Sequence, residues 1–245
     1  MLFSKCSNPG GRPINEDSIG TAAFGDSFCF AVADGLGGHG GGDIASRVAI
    51  ESVCDYFTEF GYSDSFFEKV FSIAQERIIQ RQDTENRTQE MKTTLTVLVL
   101  HKGKAYCGHI GDSRCYLFTR GKLKFHTEDH SVPQMLVTIG EIQESEIRYH
   151  PDRNRLLRVL GDRGEDTQPE VKKPTRVSGF QAYLLCTDGF WELIDEGEML
   201  RLLQSANTPE QWLSSMEQVI LANGDEAMDN YSAIAVFEEK KGLFR

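Results

Sequence analysis

The chain has 245 residues and a formal charge of −11, with 37 acidic against 26 basic side chains. Hydrophobic residues make up 40% and charged residues 26%, the balance of an ordinary globular protein, and the length suits one domain over residues 1–245 with a core that needs no staples. The acidic excess excludes a general nucleic-acid binder, which needs a basic face. No run approaches the ~20 apolar residues of a membrane span, and the opening Met1 to Cys6 lacks the apolar centre of a secretion signal. A cytoplasmic protein without nucleic-acid or membrane partners is expected.

The spacing of apolar residues predicts strands at 17–23 and 28–33. Two amphipathic helices follow. The first, at 44–60, carries Ile44, Val48, Ala49, Val53, Tyr56 and Phe57 at a helical period; the second, at 64–82, carries Phe66, Phe67, Val70, Phe71, Ala74, Ile78 and Ile79, with Ser63 or Asp64 as its cap. Strands at 93–101, 104–109, 113–119 and 122–126 come next. The turns around Lys102-Gly103 and Arg120-Gly121 are too short for anything but antiparallel hairpins. Ser131 can cap a short helix with Pro133 and Gln134 in its first turn. A strand at 181–187, helices at 197–205 and 209–222, the latter with Thr208 as N-cap and Pro209 at its first position, and a strand at 231–237 complete the chain. The fold class is α+β, in layers.

The informative feature is where aspartates fall. An apolar strand runs straight into Asp34-Gly35, another into Asp188-Gly189, and a third passes through Gly111 to Asp112. Acidic clusters also stand at Glu16-Asp17 and at Asp229-Asn230. A buried strand fixes its last residue, and an adjacent glycine allows close approach. Oxygen donors without clustered His or Cys suit magnesium, manganese or calcium rather than zinc. Single Asp-Gly pairs are more often simple turns. The glycine-rich segment 34–43 resembles a phosphate loop but lacks the Gly-Lys-Ser/Thr ending, which disfavours a nucleotide site. The six cysteines form no C-x-x-C pair; Cys29, Cys107, Cys115 and Cys186 sit in strand-like runs and are read as buried, reduced thiols. His109, His126, His130 and His150 match no metal-binding spacing and are read as structural or surface residues.

The stretches 12–17 (RPINED), 32–39 (VADGLGGH), 93–96 (TTLT), 108–114 (GHIGDSR), 127–131 (TEDHS), 150–154 (HPDRN), 186–192 (CTDGFWE) and Asp229-Asn230 occur in one order along the whole chain. Together they resemble the metal-dependent protein phosphatases of the 2C type, especially compact bacterial members. The resemblance implies a four-layer αββα sandwich of two antiparallel sheets flanked by helix pairs. It implies two divalent cations, manganese or magnesium, that share and activate a water against a phosphate ester. By it, Asp34 bridges the two metals and Gly35 offers its carbonyl. Glu16 stands on the side of the second metal, and Asp17 serves metal-bound water. Asp188 and Asp229 complete the first metal site, and Asp112 is linked to a third, weaker one. Arg12 holds the substrate phosphate through its planar fork.

Some positions depart from the family pattern. Leu36 stands where relatives often carry methionine and where some carry a histidine proposed as general acid. His39 is the nearby candidate for that role, or for a structural one. Asp43 replaces a common glutamate, and Tyr231 replaces the usual Thr or Ile. The arginine-rich stretch 148–163 matches a region that includes a mobile flap in similar proteins. Its arginines either meet the acidic surroundings of a phosphoprotein or form a solvated face balanced by Glu141, Glu144, Glu146, Asp152 and Asp162. The implied partners are phosphorylated proteins, among them a Ser/Thr kinase and its targets, and a monomer is expected. A phosphatase dedicated to one regulator, and a non-catalytic phosphoprotein-binding module with the same fold, are the alternatives. Retention of Asp34, Asp188 and Asp229 speaks against the second.

Overall fold

The computed structural model describes residues 1–37, 41–85, 91–164 and 167–240, the last without its side chain. The first half of the chain forms β1 (Leu2–Asn8), β2 (Ser18–Phe24), β3 (Ser27–Ala33), the short β4 (Gly35–Leu36), α1 (Gly42–Phe60), α2 (Phe66–Glu85), β5 (Lys92–Thr93), β6 (Leu95–His101), β7 (Lys104–Ile110), β8 (Arg114–Thr119) and β9 (Lys122–His126). The second half forms α3 (Val132–Thr138), a 3-10 turn (Glu144–Tyr149), β10 (Glu170–Val171), β11 (Thr175–Arg176), β12 (Gly179–Cys186), α4 (Asp188–Trp191), α5 (Glu196–Ser205), α6 (Pro209–Asn223) and β13 (Tyr231–Lys240). One sheet has the order β1-β13-β12-β8-β9, and the other β10-β7-β6-β3-β2 with β11 also on β7. Every pairing in both is antiparallel.

Alternate residues of the strands build three apolar layers. Phe30, Val32, Leu98 and Leu100 face Leu117, Tyr183, Leu185, Ile234 and Val236 of the other sheet. On the opposite face of β3 and β6, Ala31, Val97 and Val99 pack against Val53 and Phe57 of α1 and Phe67, Val70 and Phe71 of α2. Tyr116, Phe118, Leu184 and Ala235 face outward on the second sheet, against Met199 and Leu203 of α5 and Trp212, Met216 and Ile220 of α6. The result is the expected αββα sandwich. Because helices cover both outer faces, the central strands read as continuous apolar runs rather than alternating ones.

Local signals act as their chemistry requires. Lys102 and Gly103 have φ of 45° and 73°, and Arg120 and Gly121 of 51° and 72°, so both hairpins turn through two left-handed residues, matching the twist of their strands. Ser131 accepts a hydrogen bond from the Gln134 N–H and Thr208 from the Gln211 N–H, capping α3 and α6. Asp195 caps α5, which therefore starts one residue earlier than expected. The Phe66 N–H bonds the Ser63 carbonyl and α2 starts at Phe66, not Asp64. Two departures are larger. The N-terminal strand β1 pairs along its length with β13 although its sequence, LFSKCSN, has no strong apolar pattern. The expected strand 93–101 is interrupted at Thr94, whose side chain turns to the candidate site. All six cysteines are free, and Cys29, Cys107, Cys115 and Cys186 are buried.

Candidate metal centre

Several strand ends converge on one cleft of about 380 Å³. Asp34 follows β3, Asp112 follows β7, Asp188 opens α4 directly after β12, and Asp229 precedes β13. The cleft is lined by these four, by Glu16, Gly35 and Arg12, and by Leu36, Asn154 and Leu156. Asp17 lies just behind this wall, buried, its Oδ2 accepting a hydrogen bond from the Thr187 hydroxyl at 2.9 Å. His39 lies outside the described residues. Glycine is required beside two of the aspartates. A Cβ on Gly35 would sit 2.3 Å from the Gly42 carbonyl oxygen, and one on Gly189 2.1 Å from that of Asn230.

Residues without an assigned role in the sequence hold the acids in place. The Thr94 hydroxyl accepts from the Asp34 N–H at 2.9 Å and lies 2.7 Å from the Ser113 hydroxyl, tying two of the strand ends together. Asn230 is buried, and its Oδ1 accepts from the Glu16 N–H while its Nδ2 donates to the carbonyls of Pro9 and Ile14. The N-terminal segment that carries Arg12 and Glu16 is thereby fixed to the end of β13. The Trp191 Nε1–H donates to the Asp112 carbonyl at 3.0 Å, and the Arg114 guanidinium lies 3.6 Å from the Trp191 ring centroid. Arg114 in turn makes a bidentate pair with Asp129 at 2.8 and 2.7 Å, both groups buried. Breaking such a pair strands a buried charge, so Asp129→Ala should lower unfolding free energy by about 3–5 kcal/mol. Urea unfolding of the two proteins measures this difference; a change below about 1 kcal/mol would mean that Tyr116 and Glu196 already satisfy Arg114.

The electrostatics of the cleft are those of crowded carboxylates. Burial first, then the charges of Asp188, Asp17 and Asp112, push Asp34 well above the usual carboxylate range, and Asp34 shares a hydrogen bond with Asp188. Burial followed by Asp188 and Asp129 raises Asp112; burial and Asp229 raise Asp188. Asp17 is pushed up to about 7, chiefly by burial, against the hydrogen bonds of Ser232 and Thr187. Glu16 is raised by burial and by Asp43 and Asp229. Glu192, from the same segment as Asp188, is raised to about 7 by burial and Asp188 despite its contact with Arg153.

A group of acids that oppose one another's ionisation suits bound cations, which remove both the repulsion and the desolvation cost. Two further details fit. Oδ1 of Asp17 and Oδ1 of Asp112 are buried without a hydrogen-bond partner. The acidic side chains around the cleft offer only oxygen donors, as hard divalent cations require. A second cluster, His109, His130 and Glu170, has its ligand atoms within 4.8 Å of one another. There the His130 Nδ1 accepts from the Gly111 N–H at 3.1 Å, which places the proton of the neutral ring on Nε2 and leaves that nitrogen no lone pair for a metal. Both histidines are buried, so neither is the surface residue that was the other reading of them.

The arginine-rich stretch resolves unevenly. The side chain of Arg148 is 11% exposed and is consumed by the Trp191 and Ile194 carbonyls and by Glu196, so it is no substrate contact. Arg163 pairs with Asp83, Arg155 with Asp152, and Arg158 reaches the Gln168 carbonyl. Arg153 is bound to Glu192 at the edge of the cleft. Arg12 stands at the mouth, its side chain 53% exposed, 2.9 Å from Asp229.

The family model described as protein phosphatase 2C matches residues 11–231. The serine/threonine phosphatase stp of Listeria monocytogenes serotype 4b is 32% identical over 237 residues, spanning 92% of this chain and 90% of that protein. Among solved structures, the Mycobacterium tuberculosis serine/threonine phosphatase PstP/Ppp superposes with a TM-score of 0.84 at 28% identity, covering 95% and 96% of the two chains. The PstP catalytic domain in complex with two manganese ions gives a TM-score of 0.80 at 25% identity, covering 96% and 97%. With the family model matched over most of its length and the cleft built as described, the chain belongs to the protein phosphatase 2C family of serine/threonine phosphatases.

Proposed function

We propose that this chain, acting as one catalytic domain, hydrolyses phosphoserine and phosphothreonine in proteins and so opposes a Ser/Thr kinase. Asp34, Asp188, Asp229, Glu16 and the Gly35 carbonyl would hold two manganese or magnesium ions, Asp112 a third, and Asp17 would orient water. The supporting observation is the convergence of Glu16, Asp34, Asp112, Asp188 and Asp229 on one cleft that has Arg12 at its mouth, with burial and mutual repulsion raising the proton affinities of Asp34, Asp112 and Asp188. When bound, such cations lower the pKa of water and stabilise charge on the transferring phosphoryl group.

The chain's own residues supply the rest. Arg12 is free to exchange its exposed pairing with Asp229 for two phosphate oxygens, presenting a planar fork to them. Thr94, Asn230 and Trp191 hold the acids rigid, so little reorganisation is left for the reaction itself. Leu36 and Leu156 give the cleft an apolar border.

Arg12→Ala should raise the KM for a phosphothreonine peptide roughly ten- to a hundredfold, the loss of a charged hydrogen-bond pair of about 1.5–3 kcal/mol. Arg12→Lys should recover only part of it, since an ammonium group cannot copy the fork. The reading itself is tested with phosphoserine, phosphothreonine and phosphotyrosine peptides of one sequence in the presence of manganese. Rapid phosphate release from the first two supports it, and release confined to phosphotyrosine or to none of them refutes it.

A further inference from the structure

A second cleft of about 350 Å³ adjoins the first and shares Arg12, Asn154, Asp188 and Asp229 with it. Its remaining wall is formed by Arg153, Glu192, Leu193 and the loop after α6, including Asp225 and Met228. A phosphate held by Arg12 would therefore lie at the border between the two clefts. The loop is tied down on both sides. The Asn223 side chain donates to the Leu193 carbonyl at 2.8 Å, and the Gly11 N–H donates to the Met228 carbonyl at 2.9 Å. Asp225 closes the loop on itself, its Oδ1 accepting from the Ala227 N–H at 2.8 Å. The wall is thus present before any ligand arrives, which lowers the ordering cost of binding.

The charges in this second cleft are accounted for one by one. Arg153 is paired with Glu192. Asp188 and Asp229 belong to the metal centre, and Arg12 to the phosphate. Among the described residues that line this cleft, Asp225 is the charge left without an opposing partner in that scheme, and it is exposed. Leu193 and Met228 beside it offer apolar surface on which a long aliphatic stem can lie while its charged head reaches a carboxylate.

We propose that this second cleft is a specificity subsite for a basic residue, lysine or arginine, next to the phosphorylated residue of the substrate, with Asp225 as its charge-selecting side chain. The inference rests on the phosphatase reading and names the substrate class of the same site. Rim charges act mainly on encounter and partner choice, and their contribution is screened by salt.

The test compares kcat/KM for two phosphothreonine peptides, one with arginine and one with glutamate flanking the phosphorylated residue, in manganese at low ionic strength. Wild type should prefer the arginine peptide by about two- to fivefold, the size of an exposed ion pair. Asp225→Asn should abolish that preference and Asp225→Lys should reverse it. Turnover of p-nitrophenyl phosphate, which has no flanking residue, should be the same for all three proteins, and this control excludes misfolding. Equal use of both peptides by wild type, preference for the glutamate peptide, or a preference that persists in Asp225→Lys would overturn the subsite. Turnover of p-nitrophenyl phosphate without turnover of either peptide would overturn the protein-phosphatase reading itself, and the subsite with it.

Discussion

Asp34→Asn should leave the protein folded and nearly inactive. The substitution keeps the size of the side chain and a donor for Asp188, the group with which Asp34 shares a hydrogen bond. It removes one of the carboxylates clustered in the cleft. A cation site of this kind supplies several kcal/mol of transition-state charge stabilisation, so kcat should fall by at least about 10³, equivalent to ~4 kcal/mol. The informative part is the stability. With chelator present at pH 8, Asp34→Asn should melt at the same temperature as wild type or higher, because one buried charge fewer must be desolvated. The rise in melting temperature that manganese gives wild type should be largely missing. If Asp34→Asn instead melts far below wild type in chelator, Asp34 is a structural residue whose loss simply unfolds the site.

The second large effect is the pH dependence of stability, and its direction depends on the metal. Without cations, Asp17 keeps its proton up to about pH 7, against an ordinary value of 3.8, and Asp34, Asp112 and Asp188 are raised too. At these carboxylates the folded state binds more protons than the unfolded chain, so their contribution is full below the ordinary carboxylate range and is lost as pH rises through the folded-state values. Each such proton contributes a slope of about 1.4 kcal/mol per pH unit. Burial lowers His109 and His130, which act in the opposite direction but are fewer than the raised carboxylates. Chelator-treated protein should therefore melt at a lower temperature at pH 8 than at pH 6. Cations compete with those same protons, so the stabilisation given by manganese should grow from pH 6 to pH 8. Melting curves at three pH values, with chelator and with manganese, decide it. A chelated protein that is more stable at pH 8 than at pH 6 would contradict the electrostatic picture of the cleft.

The positions of the acids that converge on the cleft were legible in the sequence because they are punctuated by the fold. An apolar run that ends in Asp-Gly marks both the end of a buried strand and a backbone crossing that tolerates no side chain, as at Gly35 and Gly189. An α+β layered fold followed from helical periods beside runs of antiparallel strands, and its αββα form from the family resemblance alone. The supporting contacts were not legible. Thr94, Asn230, Trp191 and the Arg114–Asp129 pair join segments distant in sequence, and nothing in the local pattern states which carbonyl or carboxylate a buried polar group will meet. The same limit applied to the arginines. Composition shows a basic stretch, but only three-dimensional pairing separates Arg148, an internal brace, from Arg153 at the cleft edge. The strand β1 was missed for a related reason: its stability comes from the ladder with β13 and not from its own hydrophobicity.

In the function proposed, the clustered carboxylates act by holding divalent cations that drive phosphoester hydrolysis. The most direct test is release of p-nitrophenol from p-nitrophenyl phosphate by chelator-stripped wild-type protein, before and after manganese is restored. Turnover that is absent without the metal and returns with it is the predicted result. Undiminished turnover by fully stripped protein, or none after manganese and magnesium are each restored, would contradict the account.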